Sequence, residues 1–172
     1  VVRAALAARG GQVSIAALNG VDNVVISGAV EAVALACQDL TAKGFGTAPL
    51  RVSHAFHSAL MDPMLDEFER TAQGVRVSRP AIAMVSNLTG RVMQAGENCD
   101  AAYWRQHARQ PVRFADGIAA LARLDGNQDG VIDSNDAAFS ELVVWQDANH
   151  NGVRIAFAPA DNPQYAVSVV LT

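Results

Sequence analysis

Hydrophobic and polar positions along the first 120 residues change period repeatedly, from two to about 3.6 and back. VSIAAL (13–18) and NVVISG (23–28) are short β-rich runs on either side of Asn19-Gly20, a turn dipeptide that favours left-handed backbone, and they predict a hairpin. Val30, Val33, Ala34, Cys37 and Leu40 then recur at helical spacing, and Gly44 with Gly46 closes that segment. TAPLRV (47–52) reads as a strand that delivers Ser53 and His54 at its end. Met61, Met64, Leu65 and Phe68 make the next helical stripe, with Asp62 and Pro63 suited to its first turn. IAMVSN (82–87) has the character of a buried strand, AAYWRQHA (101–108) of a helical turn and ADGIAALARL (115–124) of a helix. Strands and helices that alternate in this way predict an α/β (α+β) fold.

Composition narrows the class. The 172 residues are 51% hydrophobic and 17% charged, enough apolar material for one sizeable core or two small ones. The net charge of −4, with Arg and Lys scattered singly, argues against nucleic acid, whose binders carry a clustered basic face. No apolar run reaches the roughly 18 residues that span a bilayer, so no membrane partner is expected. Cys37 and Cys99 are too few for a disulfide framework and suit a reducing, cytoplasmic setting. The opening VVRAALAARG has neither an initiator Met nor a signal-peptide layout, so the chain reads as an excised or assembled piece.

The stretch SHAFHSALMDP (53–63) places His54 and His57 three residues apart at a strand-to-helix junction, where an exposed loop sits between rigid elements. An isolated pair of this kind is more often structural than chemical. The surrounding segments decide otherwise: VSIAALNG, VVISG, LRVSHAFHSALMDPML, VSNLTGRV and YWRQHARQPVRFADGI, in this order, resemble the later part of the acyltransferase domain of modular polyketide synthases over about residues 10–121. In that family a serine in a GHSxG turn takes the acyl group from coenzyme A and passes it to an acyl carrier protein, with a histidine as its base. The resemblance implies a ferredoxin-like small subdomain and one edge of the acyltransferase core. It implies His57 as general base, His54 and Phe56 as residues that choose the acyl group in the malonyl-associated HAFH form, and Asn87 as a weaker candidate near the site. His107 falls where the family has a residue whose backbone carbonyl orients the catalytic histidine, the third role in triad logic. Malonyl-CoA and acyl carrier protein are the implied partners.

A histidine base needs a nucleophile within about 3 Å, an oxyanion hole and, for malonyl, a cation for its free carboxylate. No GxSxG occurs in the sequence. Ser14 is placed mid-strand, Ser27 in ISG and Ser86 in VSN, while Ser53 and Ser58 have the character of caps and turns. The expectation is an incomplete acyltransferase that does not transfer acyl groups alone. Surface normally buried by the rest of such a domain would then invite self-association.

After residue 121 the vocabulary changes. In LDGNQDGVIDSND, Asp125, Asn127, Asp129, Gly130, Val131, Asp133 and Asp136 occupy positions 1, 3, 5, 6, 7, 9 and 12 of an EF-hand loop, with Ile132 as the apolar anchor. Calcium needs six to eight oxygens, and this loop supplies five side chains and the Val131 carbonyl, although Asp136 is shorter than the usual Glu. A second loop starts with Asp147, Asn149, Asn151 and Gly152 and then fails, with Ile155 and Ala158 where oxygen ligands belong. Residues 122–152 resemble dockerin-like calcium loops and predict an EF-hand-like helix–loop–helix that binds Ca2+. The tail 153–172 reads as a β-hairpin around Asp161-Asn162-Pro163, and FAPADNP resembles the terminal strands of penicillin-binding transpeptidases, without that family's SxxK, SxN or KTG motifs. A fusion reduced by deletion and a mosaic of unrelated pieces both fit these seams. The rival functional reading is a calcium-binding module on a non-catalytic scaffold.

Overall fold

The computed structural model describes residues 1–50, 52–78, 83–130 and 135–137. It begins with helix α1 (Val2–Ala7), followed by an antiparallel hairpin of β1 (Val13–Leu18) and β2 (Val24–Gly28) and by helix α2 (Val30–Ala42). The two strands pair from Val13↔Gly28 to Leu18↔Val24, and Asn19 and Gly20 both donate to the Asn23 carbonyl to close a turn wider than the Asn-Gly pair alone predicts. Leu6, Val13, Ala32 and Ala36 form the core of this unit. Arg9 ties the end of α1 to Asp39 of α2 by an ion pair.

The buried face of α2 differs in part from the sequence expectation. Ala32, Ala36 and Leu40 are buried, whereas Val30 lies in solvent at 78% exposure. Small alanines at 32 and 36 let the helix lie close to the hairpin, while Leu40 is buried and Val33 is partly buried against the same core, as the spacing predicted. A second correction concerns TAPLRV: Thr47–Leu50 carry no strand and are exposed, with no neighbouring strand among the described residues to pair with, and Pro49 has no N–H to contribute to a ladder. Among the described residues the small unit is an α–hairpin–α arrangement.

Beyond this unit the chain forms a 3-10 helix (Ala59–Met64) that runs directly into α3 (Leu65–Gln73). Pro63 thus sits in a tighter turn than expected, and Met61 and Leu65 carry the burial while Met64 stays exposed. In the described part of the expected strand 82–87 lies β3 (Val85–Ser86), which pairs with β4 (Arg91–Val92) around a turn at Gly90. Helices α4 (Ala101–Arg109) and α5 (Phe114–Ala122) follow where helices were expected. Ion pairs of Arg105 with Asp66 (2.6 Å) and Glu69 (3.0 Å), and of Arg109 with Asp62 (2.5 Å), hold α4 against α3 and the 3-10 helix.

Among the described residues a seam at Val112 joins the two parts. A bulge at Ala16 interrupts the register of β1, and Val112 uses the freed edge: its N–H donates to the Ala16 carbonyl at 2.8 Å and its carbonyl accepts from Leu18 N–H at 2.8 Å. Val112 lies between α4 and α5, so the hairpin positions the end of α4.

At the β4 turn, Arg91 grips Glu97 with two hydrogen bonds of 2.8 and 2.6 Å, and the same carboxylate accepts from Gln94 N–H at 2.6 Å. The Arg91 bond, reinforced by that amide, lowers the Glu97 pKa from 4.5 to about 2. A depressed acid favours the folded form above its unfolded value, so the clasp is complete above 4.5 and is lost as pH falls from there through about 2. A carboxyl-carbon NMR titration should therefore find the Glu97 midpoint near 2, and Arg91→Ala should move it up toward the ordinary value. A wild-type midpoint already at 4.5 would contradict the clasp.

Candidate active site

The loop between Val52 and the 3-10 helix is shaped by Ser58, which is 1% exposed. Its hydroxyl donates to the Ala55 carbonyl at 2.6 Å and accepts from Leu60 N–H at 3.2 Å, so it caps the helix as the sequence suggested and is engaged twice. His57 precedes it with φ +61°, left-handed backbone that a non-glycine residue holds only under constraint. The constraint is visible. His57 N–H donates to the Ala108 carbonyl at 3.1 Å, and its ring Nδ1 lies 2.8 Å from the Gln110 carbonyl. A carbonyl cannot donate, so Nδ1 carries the proton and the neutral ring keeps its lone pair on Nε2.

The expectation that the His107 carbonyl orients His57 is corrected by this geometry, because the acceptor is Gln110. The physical reason lies in Pro111. A residue before proline is driven out of helical conformation, and Gln110 ends α4 at φ −87°, ψ 158°, which turns its carbonyl away from the helix ladder toward the histidine loop. His107 does join the site, through its ring. The two imidazoles stand edge to face with centroids 6.0 Å apart, and His107 is further packed by Tyr103 at 5.9 Å and Trp104 at 5.5 Å. Burial, and secondarily the neighbouring His57, push the His107 pKa below its ordinary value, so the ring beside His57 is uncharged near neutral pH.

His54 and Phe56 lie on the same loop but face outward as a pair of their own. Their ring centroids are 5.7 Å apart, His54 bonds Ser53 Oγ at 2.9 Å, and Phe56 is 48% exposed. Asn87 acts through its backbone: its carbonyl accepts Arg113 N–H at 2.8 Å and so fixes the start of α5. The structure thus brings His57 and His107 together and leaves His54, Phe56 and Asn87 at separate places. Sequence reasoning missed Gln110, whose one signal was the Gln-Pro pair, and it missed Tyr103 and Ser86 beneath His107.

An imidazole with a protonated, anchored Nδ1 and an available Nε2 is the arrangement of a general base. The model of the acyl transferase domain family matches residues 2–139. The chain belongs to the acyl transferase domain family. Mycoketide-CoA synthase of Mycobacterium tuberculosis is 52% identical over 118 residues, which are 68% of this chain and 3% of that protein. Polyketide synthase GfsA of Streptomyces halstedii is 47% identical over 121 residues, 70% of this chain and 2% of that protein. The acyltransferase domain from the second module of the salinomycin polyketide synthase shares 51% identity and superposes with a TM-score of 0.66, covering 71% of this chain and 28% of that one. The fold is accordingly a mixed α/β acyltransferase fold with part of its core. This acyltransferase segment spans a few per cent of the curated synthases and under a third of the salinomycin domain.

In the acidic loop, Asp136 is buried at 5% exposure and its Oδ1 accepts from Gly126 N–H at 2.7 Å and Asn127 N–H at 3.2 Å. Gly130, at φ +86°, donates to Asp125 Oδ2 at 3.0 Å. Asp129 N–H donates to the Asn127 side chain at 2.9 Å. Among the described residues no cluster of three or more acidic, histidine or cysteine side chains is placed to hold a metal ion. Val131 and Asp133, two of the six expected ligands, lie outside the described residues, as do residues 138–172 with the second loop and the tail hairpin. No helix of the described residues is long and apolar enough to cross a membrane.

Proposed function

We propose that this chain supplies the general base of a malonyl-selective acyltransferase, with His57 as that base and the nucleophilic serine contributed by the part of the domain that this sequence does not contain. The observation that carries the reading is the bond from His57 Nδ1–H to the Gln110 carbonyl, which fixes the tautomer with Nε2 able to take a proton. In the reaction, Nε2 accepts the proton of the serine hydroxyl as it attacks the thioester of malonyl-CoA. It then returns the proton to the departing thiolate, and the same cycle run toward acyl carrier protein delivers the malonyl group. The uncharged His107 ring contributes a wall beside His57 without adding a like charge when the imidazolium forms. His54 and the exposed Phe56 are the candidates to meet the acyl group, and Asn87 is a positioning candidate through its bond to Arg113 at the start of α5.

The sequence has no GxSxG, and the wild-type chain is expected to form no acyl-enzyme with malonyl-CoA on its own. Adding the serine-bearing remainder of an acyltransferase domain should restore a burst of one acyl group per site. Acyl-enzyme formation by this chain alone would overturn the assignment of the nucleophile to absent sequence. Exposed Leu60, Met64 and Trp104, beside the histidine loop in sequence or on α4, are apolar surface for that remainder to cover, and self-association is the expected behaviour when it is missing.

A second reading, calcium binding by residues 125–136, is favoured by one observation. Asp125 Oδ1 is buried with no hydrogen-bond partner among the described residues, an acceptor in want of a donor or a cation. Asp125, Asn127, Asp129, Asp133 and Asp136 would offer side-chain oxygens and Val131 its carbonyl. Millimolar calcium should then raise the melting temperature of the wild type by mass action and leave Asp125→Ala and Asp129→Ala unmoved. An equal response in all three, or none in the wild type, would remove this reading.

A further inference from the structure

A line of contacts leads from His57 into the protein interior through His107, Tyr103 and Ser86. Tyr103 stacks on His107 with the rings inclined by only 29°, and its hydroxyl lies 3.0 Å from Ser86 Oγ. Ser86 is 1% exposed, and its oxygen already accepts from Leu88 N–H at 3.2 Å and Thr89 N–H at 3.3 Å. A hydroxyl oxygen has two lone pairs, so with both engaged its own proton is the one left to bind Tyr103. Tyr103 is thereby held by a serine at the end of β3 that is itself fixed by the amides of the following turn. Burial, the largest influence on the phenol, raises its pKa above the ordinary value, so it stays neutral in this position.

Helix α4 is held against α3 and the 3-10 helix by the Arg105 and Arg109 ion pairs, while Trp104 is 43% in solvent. Its N-terminus is capped by Asp100, which accepts Tyr103 N–H at 2.9 Å, and the residues just after its C-terminus are tied through Val112 to β1 and through Arg113 to Asn87. The Tyr103–Ser86 bond is a side-chain tie from the body of α4 to the β3–β4 hairpin, and α4 with the residue that ends it provides both carbonyls that hold His57. His57 needs such a hold, because its backbone sits at φ +61°.

We propose that Tyr103, pinned by Ser86, is a positioning residue of His57: together with the Arg105 and Arg109 ion pairs that hold α4 against α3 and the 3-10 helix, its hydroxyl sets where α4 lies, and through α4 it sets the His107 ring and the Ala108 and Gln110 carbonyls that fix the base. The catalytic consequence rests on the function proposed above, but the positioning itself does not.

The test is 15N NMR of the imidazoles in the full chain. Wild type should show His57 in the Nδ1–H tautomer. Tyr103→Phe keeps the ring and removes the oxygen. It should shift His57 toward the mixed tautomers of a free imidazole and broaden the His107 ring signals. Ser86→Ala should do the same, and the double variant should go no further than either single, because both remove one interaction. Ser86→Thr keeps the hydroxyl and should behave as wild type. Tyr103→Phe and Ser86→Ala spectra that match wild type at both histidines would overturn the proposal, and Ser86→Ala decides it if Tyr103→Phe loses its cooperative melt. In the domain completed with its serine-bearing part, Tyr103→Phe should lower kcat about tenfold with KM unchanged, the signature of a misplaced group and not of lost binding. A tautomer change in Tyr103→Phe together with acyl transfer that ignores His57→Ala supports the positioning and overturns only the catalytic reading.

Discussion

Replacing His57 by alanine should lower acyl transfer by the completed domain about a hundredfold to ten-thousandfold, the usual contribution of a positioned acid or base. The loss should fall on kcat and kcat/KM together, because proton transfer is made only in the transition state. The chain should still melt cooperatively at nearly the wild-type temperature, since the residue sits in a loop and its bonds end on carbonyls at the exposed end of α4. His107→Ala is a sharper comparison than a surface control. It removes the packed wall but leaves the Gln110 bond, so a smaller loss is expected. Equal losses in the two variants would mean that His107 takes part in the chemistry directly.

The largest expected effect on folding is at Gly28. A methyl group there would stand 2.1 Å from the Gln12 carbonyl oxygen and 2.8 Å from Val13 Cα, both backbone atoms that cannot turn aside. This is the point where the hairpin closes on the segment entering β1 and where Ala29 N–H bonds the same Gln12 carbonyl at 3.1 Å. Gly28→Ala should therefore destabilise the chain by about 1–3 kcal/mol, the range of an overpacked site. Val21→Ala, at a side chain fully in solvent, should change stability by less than about 0.5 kcal/mol. A Gly28→Ala melt that coincides with wild type would show that the hairpin does not close as described.

The hairpin and the helices after it were legible because their signals are local: alternation broken by Asn-Gly, then helical spacing, then aspartate or proline near a helix start. The alanine side of α2 was not, because hydrophobicity ranks Val30 above Ala32 and Ala36 while close packing against the hairpin ranks them the other way. TAPLRV has the composition of a strand, but a strand exists only with a partner, and no described residue provides one. His57 could be picked out by its motif. The carbonyl that orients it could not be chosen, since every residue has one and only the tertiary path of α4 past Pro111 decides which points at the ring. Tyr103 and Ser86 are 17 positions apart and have no shared pattern, so their bond emerges only from the fold. The spacing of the acidic loop was readable in full, whereas its ability to bind a cation depends on Val131 and Asp133 together with Asp125 and Asp136, and it stands as a proposal.

The central claim is that His57 acts as a base and not as a structural residue, and chemical rescue tests it most directly. His57→Gly removes the imidazole while suiting the left-handed backbone at that position, so it leaves a gap the size of the lost ring with less strain than alanine. With the completed domain, added imidazole should restore malonyl transfer by His57→Gly in proportion to its concentration and should do nothing for wild type or His107→Ala. Undiminished transfer by His57→Gly without imidazole would contradict the account.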